Sequence, residues 1–445
     1  MRSNDCFRAE DFQELLDHSR KAYGPLPALK SGTETYSYEE LISAIHAEAE
    51  HLKNEPALCI AIDQPETVSG IISLFASVLA GKRTALLDSH LSQEGKERAL
   101  KIVHAELILP GNKITEETPV PGEAGKLLFF SSGTSASEKA VVLSQKAFCS
   151  SAWNGQSMLS CGPGDIVGSF LPLSHVFGFV CTLLWPLAYG ACAALGRGYR
   201  HLLDDAFYYH LTILPAVPTL LYFLHAHGAL NLELKTILVG AGPADPDTLR
   251  SLSQSGIQVS FGYGLTETAS GLAISTGKEN PFAMDLCPDT RVRIGEDHTV
   301  YVRTACMMDG YYEKPEETAA VLNDGELDTG DLGSLDEQNC LHLNGRKNEV
   351  LVLPNGTKVF CPEWETELSK RMQGEAAITS ENGKLVLHVY TALSDDEVKS
   401  NADAFNDQQP AGRKLGGLVR HKNHLPRTAT GKLQRWKLNE EGVNI

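Results

Sequence analysis

Short apolar runs alternate with helical stripes through the first part of the chain. Runs at 57–62, 84–87, 107–109 and 127–130 read as buried strands, and helical patterns at 37–53, 68–80 and 97–104 fall between them. Over 37–53 the apolar stripe is Leu41, Ile42, Ile45 and Leu52, and Ser37 with Glu40 three residues later forms a capping box. A helix at 144–157 and strands at 166–171, 209–215, 235–239 and 259–263 continue the alternation. This order predicts an α/β fold with a mainly parallel sheet. From about Arg291 the pattern changes to short alternating strands, at 291–294, 299–303 and 340–343, with turns such as Asn323-Asp324-Gly325. Beyond Gly345-Arg346 come a strand at 349–353, an Asn355-Gly356 turn, a helix entered through 359–365 and a polar helix within 395–411. The expected organisation is a large N-terminal domain of stacked α/β sheets over 1–347, with a small β-rich subdomain at about 288–344. A small α+β domain over 348–445 follows.

Composition changes this picture little. The chain has 445 residues, enough for more than one domain, with 42% hydrophobic and 21% charged residues. The formal net charge of −17 excludes a nucleic-acid-binding surface as the main function. The ten cysteines show no C-x-x-C pair and no zinc spacing, which fits reduced thiols in a cytoplasmic protein. No apolar signal region opens the chain. Residues 176–195 are uncharged for about the length of a bilayer, but Pro186 and Gly190 interrupt them. A buried helix, a turn and a buried strand are expected there rather than a membrane span.

Candidate chemistry gathers where these strands end. After the strand at 127–130 come Ser131, Ser132, Gly133, Thr134 and Ser135, then Lys139 before a second apolar run, 141–143. Small residues leave backbone N–H groups free to meet oxygen anions, hydroxyls add donors, and the lysine adds a point charge. This is a phosphate-loop candidate, though not a Walker loop, which needs Gly-Lys-Ser/Thr directly before a helix. The strand at 166–171 ends in Pro172-Leu-Ser-His175-Val-Phe-Gly178, that at 235–239 in Gly240-Ala241-Gly242-Pro243, and that at 259–263 in Tyr263-Gly264-Leu265-Thr266-Glu267. Open α/β sheets bind ligands along this edge.

These stretches, with Asp328-Thr-Gly-Asp331, Gly345-Arg346 and Pro426-Arg-Thr-Ala-Thr-Gly-Lys432, occur in the order and rough spacing of the adenylate-forming superfamily, which the chain resembles from about Ser37 to Arg435. That superfamily includes acyl- and aryl-CoA synthetases, luciferases and peptide-synthetase adenylation domains. The resemblance implies ATP, Mg²⁺ and coenzyme A as cofactor and co-substrates, and a mobile C-terminal domain. It implies that Lys139 and its hydroxyl loop hold the β- and γ-phosphates, that Tyr263 stacks on adenine, that Thr266 touches the α-phosphate, and that Glu267 helps to hold Mg²⁺. Gly240–Pro243 then brings bare backbone against the adenine, Asp331 takes the ribose hydroxyls and Arg346 donates to ribose or phosphate. Lys432 bridges the carboxylate substrate and the α-phosphate, and swings away for the thiol step about a hinge at Asn348. His175 gates the acyl pocket, which the apolar run 177–187 and residues 268–272 line.

The implied function is activation of a carboxylic acid, fatty or otherwise apolar, to acyl-AMP with release of pyrophosphate, then transfer to the thiol of coenzyme A. No aspartate stands beside His175, which disfavours an amino-acid substrate. Gly345 to Glu365 looks most like long-chain fatty acid–CoA ligases. A ligase that loads a phosphopantetheinylated carrier protein is the alternative, and a nucleotide-binding member without catalysis a further one. The last is motivated by a worn phosphate loop, in which Ala136, Glu138 and Ala140 stand where the family has Gly, Pro and Gly.

Overall fold

The structure is a computed structural model describing residues 6–444, except 112, 116, 132–138, 243, 277–279, 354–357, 382, 411–412, 428–432 and 439–441. Two large sheets form the bulk of the N-terminal part. Nine described strands make the first, with Gln258–Tyr263, Thr236–Val239, Ile213–Ala216, Ile166–Ser169, Cys192–Leu195 and Pro27–Ser31 adjacent in that order and parallel. Seven make the second, centred on the parallel strands Leu127–Ser131, Arg83–Leu86, Cys59–Ile62 and Leu107–Leu109. Its edge turns antiparallel: Lys139–Leu143 pairs with Leu127–Ser131, and Gly310–Tyr311 pairs with Lys139–Leu143.

Helices Phe12–Tyr23, Val68–Leu79 and Gln145–Met158 carry one continuous core with the apolar segment beyond His175. Five phenylalanines from five elements meet in it. Phe148 lies 5.2 Å from Phe129 and 5.1 Å from Phe179, and Phe75 lies 5.3 Å from Phe12, centroid to centroid. All five are fully buried. Buried aromatic rings contribute heavily to cohesion, by area and by edge-to-face contact. The helix Tyr38–Leu52 starts at the expected capping box, with Ser37 and Glu40 exchanging both hydrogen bonds.

The uncharged stretch folds as helix Val176–Gly178, a wider turn Phe179–Leu184, and helix Trp185–Tyr189, which Gly190 ends in the left-handed region at φ 84°. Strand Cys192–Leu195 follows. Among the described residues no helix is long and apolar enough to cross a membrane.

A third sheet combines Arg291–Ile294, Thr299–Arg303, Glu326–Leu335, Leu322–Asn323 and Leu341–Arg346. It is the expected β-rich region, and it places Asp331 directly opposite Arg346 in register. The smaller C-terminal domain holds helices Cys361–Met372 and Asp395–Asn406, the hairpin of Val350–Val352 with Lys358–Phe360, and a four-stranded sheet. The expected Asn355-Gly356 turn lies outside the described residues. Many strand ends shift by one to three residues from the sequence pattern, and the strand expected at 209–215 shifts most. Residues 205–209 form a helix, Asp205–Tyr209, and the strand begins only at Ile213. The apolar content of 206–211 belongs to a helix face packed on the core, a case that apolar runs alone do not distinguish.

Candidate active site

A cavity of about 290 Å³ opens where strands of both large sheets end and the third sheet approaches. Ser131, Lys139, His175, Gly240, Ala241, Tyr263, Gly264, Thr266, Glu267 and Arg346 all line it. Gly242 does not, and Ser132, Gly133, Thr134, Ser135, Pro243 and Lys432 lie outside the described residues.

The loop after Gln258–Tyr263 is wound tightly. Leu272 N donates to Tyr263 O at 2.9 Å, Ser270 N to Leu265 O at 3.1 Å, and Leu265 N to Thr268 Oγ1 at 3.0 Å. Ala269 and Ser270 take positive φ, at 44° and 88°. Non-glycine residues adopt such angles only where the surroundings enforce them. The winding brings Ser270 O to within 1.1 Å of where a Cβ on Gly264 would stand, so only glycine fits there. Thr266 and Glu267 are thereby turned onto the cavity wall. At Ala241, φ of 65° turns the backbone after Val239 along the same edge.

Tyr263 and the third sheet share a polar cluster. Its hydroxyl donates to Asp331 Oδ2 at 2.5 Å, and Arg346 Nε donates to Asp331 Oδ1 at 2.8 Å. Asp331 does not itself line the cavity but stands behind these two, and it is buried. Burial, and then the neighbouring Asp331, push the Tyr263 hydroxyl well above its usual pKa, so it stays a proton donor. Burial works against the Arg346 charge, yet Asp331, Tyr263, Glu349 and Glu267 together outweigh it and the guanidinium pKa rises. Gly330, at φ 69°, and the Thr329 hydroxyl, which accepts from Asp331 N at 3.1 Å, set the turn that aims the carboxylate.

Around Lys139 the structure supplies partners that the sequence pattern did not single out. The ammonium lies 2.6 Å from Glu317 Oε2 and 4.6 Å from the centroid of the Tyr311 ring. The Tyr311 hydroxyl donates to Glu267 Oε1 at 2.9 Å. Burial, then Glu267, raise the Tyr311 pKa far above its usual value, which keeps that donor protonated. The sequence signal was present: Tyr311-Tyr312 precedes a helix, Pro315–Val321, whose first turn is acidic. His175 caps the helix Val176–Gly178, and its Nε2 lies 3.8 Å from Asp88 Oδ2. This corrects the expectation that no aspartate stands beside His175: none neighbours it in sequence, but the end of the buried strand Arg83–Leu86 brings Asp88 beside it in space.

The AMP-binding enzyme family matches residues 111–312, which include every residue lining this cavity except Arg346. The 2-succinylbenzoate–CoA ligase of Bacillus velezensis is 27% identical over 436 residues, covering 87% of this chain and 88% of that protein. The chain thus resembles the AMP-binding enzymes over these residues, and acyl- and aryl-CoA ligases over most of its length. Sulfoacetate–CoA ligase of Cupriavidus necator, another relative, is 27% identical over 354 residues, or 72% of this chain and 68% of that protein. A solved structure of O-succinylbenzoate coenzyme A synthetase from Bacillus subtilis, with ATP and magnesium ion, superposes with a TM-score of 0.81 at 21% identity. It covers 96% of this chain and 99% of the other, and shows the AMP-binding enzyme fold.

Mg²⁺ fits the donor set. Glu267 offers a hard carboxylate oxygen on the cavity wall, and Mg²⁺ is commonly held by one or two carboxylates together with substrate phosphates. Among the described residues no cluster of three or more His, Cys, Asp or Glu forms a metal cage.

Proposed function

We propose that this protein is an AMP-forming acid–CoA ligase. A carboxylate oxygen of the acid attacks the α-phosphorus of ATP, the bond to the β-phosphate oxygen breaks, and pyrophosphate leaves. The coenzyme A thiol, losing its proton, then attacks the acyl carbonyl carbon, and AMP departs with the former carboxylate oxygen. The observation that carries this reading is the convergence of Lys139, Thr266, Glu267, Tyr263 and Arg346 on one cavity, with Asp331 directly behind.

Joining a carboxylate to a polyphosphate brings two anions together, so positioned donors and cations determine the rate. Asp331 and Tyr263 hold ribose and adenine, Arg346 reaches ribose or phosphate, and Lys139 with Ser131 meets the outer phosphates. Thr266 donates to the α-phosphate. Mg²⁺, when bound at Glu267, neutralises phosphate charge. Lys432, from the small domain, bridges the attacking carboxylate and the α-phosphate, and the domain boundary and hinge fall at Lys347 and Asn348.

The acid enters past His175. Beyond it the cavity is lined by Val176, Phe177, Cys181, Leu238 and Ile274, with no charged side chain among them. Such a wall favours an uncharged acyl group, aromatic or compact and aliphatic. The aromatic ring of 2-succinylbenzoate, named for one of the relatives, supports the aryl side of this class, where the sequence pattern pointed to fatty acids, but the second carboxylate of that acid has no cationic partner among these five residues. The composition supports a cytoplasmic location.

Pyrophosphate release measured across a panel of aryl, short-chain and long-chain acids tests the proposal. Acid-dependent pyrophosphate with acyl-CoA formation is expected. Transfer to a phosphopantetheinylated carrier protein alone would replace coenzyme A as acceptor. No acid-dependent pyrophosphate would leave only nucleotide binding. Lys432→Ala is expected to abolish adenylation and spare thioester formation from supplied acyl-adenylate. Equal loss of both half-reactions would remove the role given to Lys432.

A further inference from the structure

The carboxylate on Lys139 has no part in the scheme above. Glu317 sits in the first turn of the helix Pro315–Val321, on a half-exposed surface. Its Oε2 is 2.6 Å from Lys139 Nζ, and its Oε1 accepts from Lys314 Nζ at 2.8 Å. The register explains why the pair forms. Tyr311 pairs with Val141 across the antiparallel edge, two residues along from Lys139, and Thr318 Oγ1 accepts from Tyr311 N at 2.9 Å. The helix is therefore fastened to the strand that bears the lysine, and Glu317 meets the ammonium as it lies over the Tyr311 ring.

We propose that Glu317 is a positioning residue that competes with phosphate for Lys139: it holds the ammonium in the nucleotide-free enzyme, yields it to ATP, and takes it back as pyrophosphate leaves. The proposal rests on the ligase reading, because it takes Lys139 as the contact to the outer phosphates. The hydrogen bond from Lys139, followed by that from Lys314, lowers the Glu317 pKa, so the carboxylate is charged throughout the neutral range and is always present as a competitor. The pair is exposed enough to be exchanged. An ion pair of this kind is weak, so an incoming polyphosphate can displace it, yet it suffices to loosen a departing one.

A competitor at Lys139 acts only on ligands that reach that lysine. ATP and pyrophosphate should feel Glu317, and AMP, which lacks the outer phosphates, should not. Glu317→Gln keeps the side-chain shape and one acceptor oxygen while removing the charge.

The test is equilibrium binding by titration calorimetry, in magnesium chloride, of ATP, pyrophosphate and AMP to the full chain. Glu317→Gln is expected to tighten ATP and pyrophosphate about two- to fivefold, the range of an exposed ion pair, and to leave AMP unchanged. The same substitution in a Lys139→Ala background should leave all three unchanged. In turnover, Glu317→Gln should show a lower KM for ATP and stronger inhibition by added pyrophosphate. Weaker or unchanged ATP binding in Glu317→Gln would overturn the proposal, as would equal tightening of AMP, or equal tightening in the Lys139→Ala background. Wild-type protein that binds AMP but gains nothing from the outer phosphates would also overturn it, and would leave the adenylate reading standing. Wild-type protein that binds no nucleotide would sink both.

Discussion

Tyr263→Phe removes one atom from the proposed nucleotide site and leaves the aromatic ring in place. The lost hydroxyl, on a partly buried ring, donates to Oδ2 of the buried Asp331 at 2.5 Å. Hydrogen bonds to charged partners contribute about 1.5–3 kcal/mol. Asp331 keeps its bond from Arg346 Nε at 2.8 Å, so the carboxylate stays charged and paired at one oxygen. What it loses is the second anchor that fixes its plane. If that plane aims the carboxylate at the ribose hydroxyls, ATP affinity falls by the same free energy, or about 10- to 150-fold. The assay is the KM for ATP and for 2′-deoxy-ATP in both proteins. The wild type should disfavour the deoxynucleotide, and Tyr263→Phe should weaken ATP while narrowing the gap between the two. Circular dichroism and AMP-free thermal melting check that the fold survives. A Tyr263→Phe protein that binds ATP more tightly would show the hydroxyl competing with ribose for Asp331, and would refute this reasoning.

Other perturbations read out different parts of the molecule. Gly264→Ala places a Cβ 1.1 Å from Ser270 O and is expected to abolish turnover and nucleotide binding, measured by calorimetry on whatever folds. Phe148→Ala opens a cavity between Phe129 and Phe179 and should cost about 3–5 kcal/mol in urea unfolding followed by tryptophan fluorescence. In the small domain, His388 Nδ1 lies 3.0 Å from His421 Nε2, and burial, then His421 and Arg435, hold the His388 pKa down to about 4. An unfolded histidine titrates near 6.5, so this depressed group's stability is fully present above about pH 6.5 and is lost as pH falls towards about 4. Melting temperatures across that window should fall for the wild type and fall less for His388→Gln.

Much of the fold was legible because the local signals agree with one another. Ser37 and Glu40 start their helix where the capping box says, and Gly190 ends the helix in the uncharged run where a membrane helix would need continuity, although Pro186 is accommodated within it. The site was legible for one reason: its residues follow strand ends, and strand ends in parallel sheets share an edge. Asp331 and Arg346 are far apart in sequence, but each lies on a strand of the third sheet, and antiparallel pairing sets them face to face. What the pattern did not carry was contact between loops of different sheets. Tyr311 and Glu317 reach Lys139 only because Gly310–Tyr311 adds to the edge of the second sheet, a pairing of two residues that leaves no periodic trace. The helix Asp205–Tyr209 was hidden for the complementary reason. Its apolar residues form a run that a strand would also show, and only tertiary packing selects the helix.

The charges around the cavity explain how an acidic chain can handle ATP. Two cations, Lys139 and Arg346, are tied to Glu317 and Asp331, and Glu267 adds a third carboxylate through Tyr311. With Lys314, which also meets Glu317, the cluster holds three cations and three carboxylates and so no surplus positive charge, within a protein of net charge −17. Long-range attraction does not bring a polyphosphate to such a place. On the proposed reading, binding comes from short-range exchange: a ribose taking Asp331, phosphates taking Lys139, and Mg²⁺ arriving on the phosphates to meet Glu267. A site with a surplus of fixed cations would bind pyrophosphate as firmly as ATP, and affinity shared equally by substrate and product does nothing for turnover. Pairing each cation with a carboxylate makes the grip conditional on a ligand that can displace the partner. That is the arrangement expected of an enzyme that must release pyrophosphate before the thiol can enter.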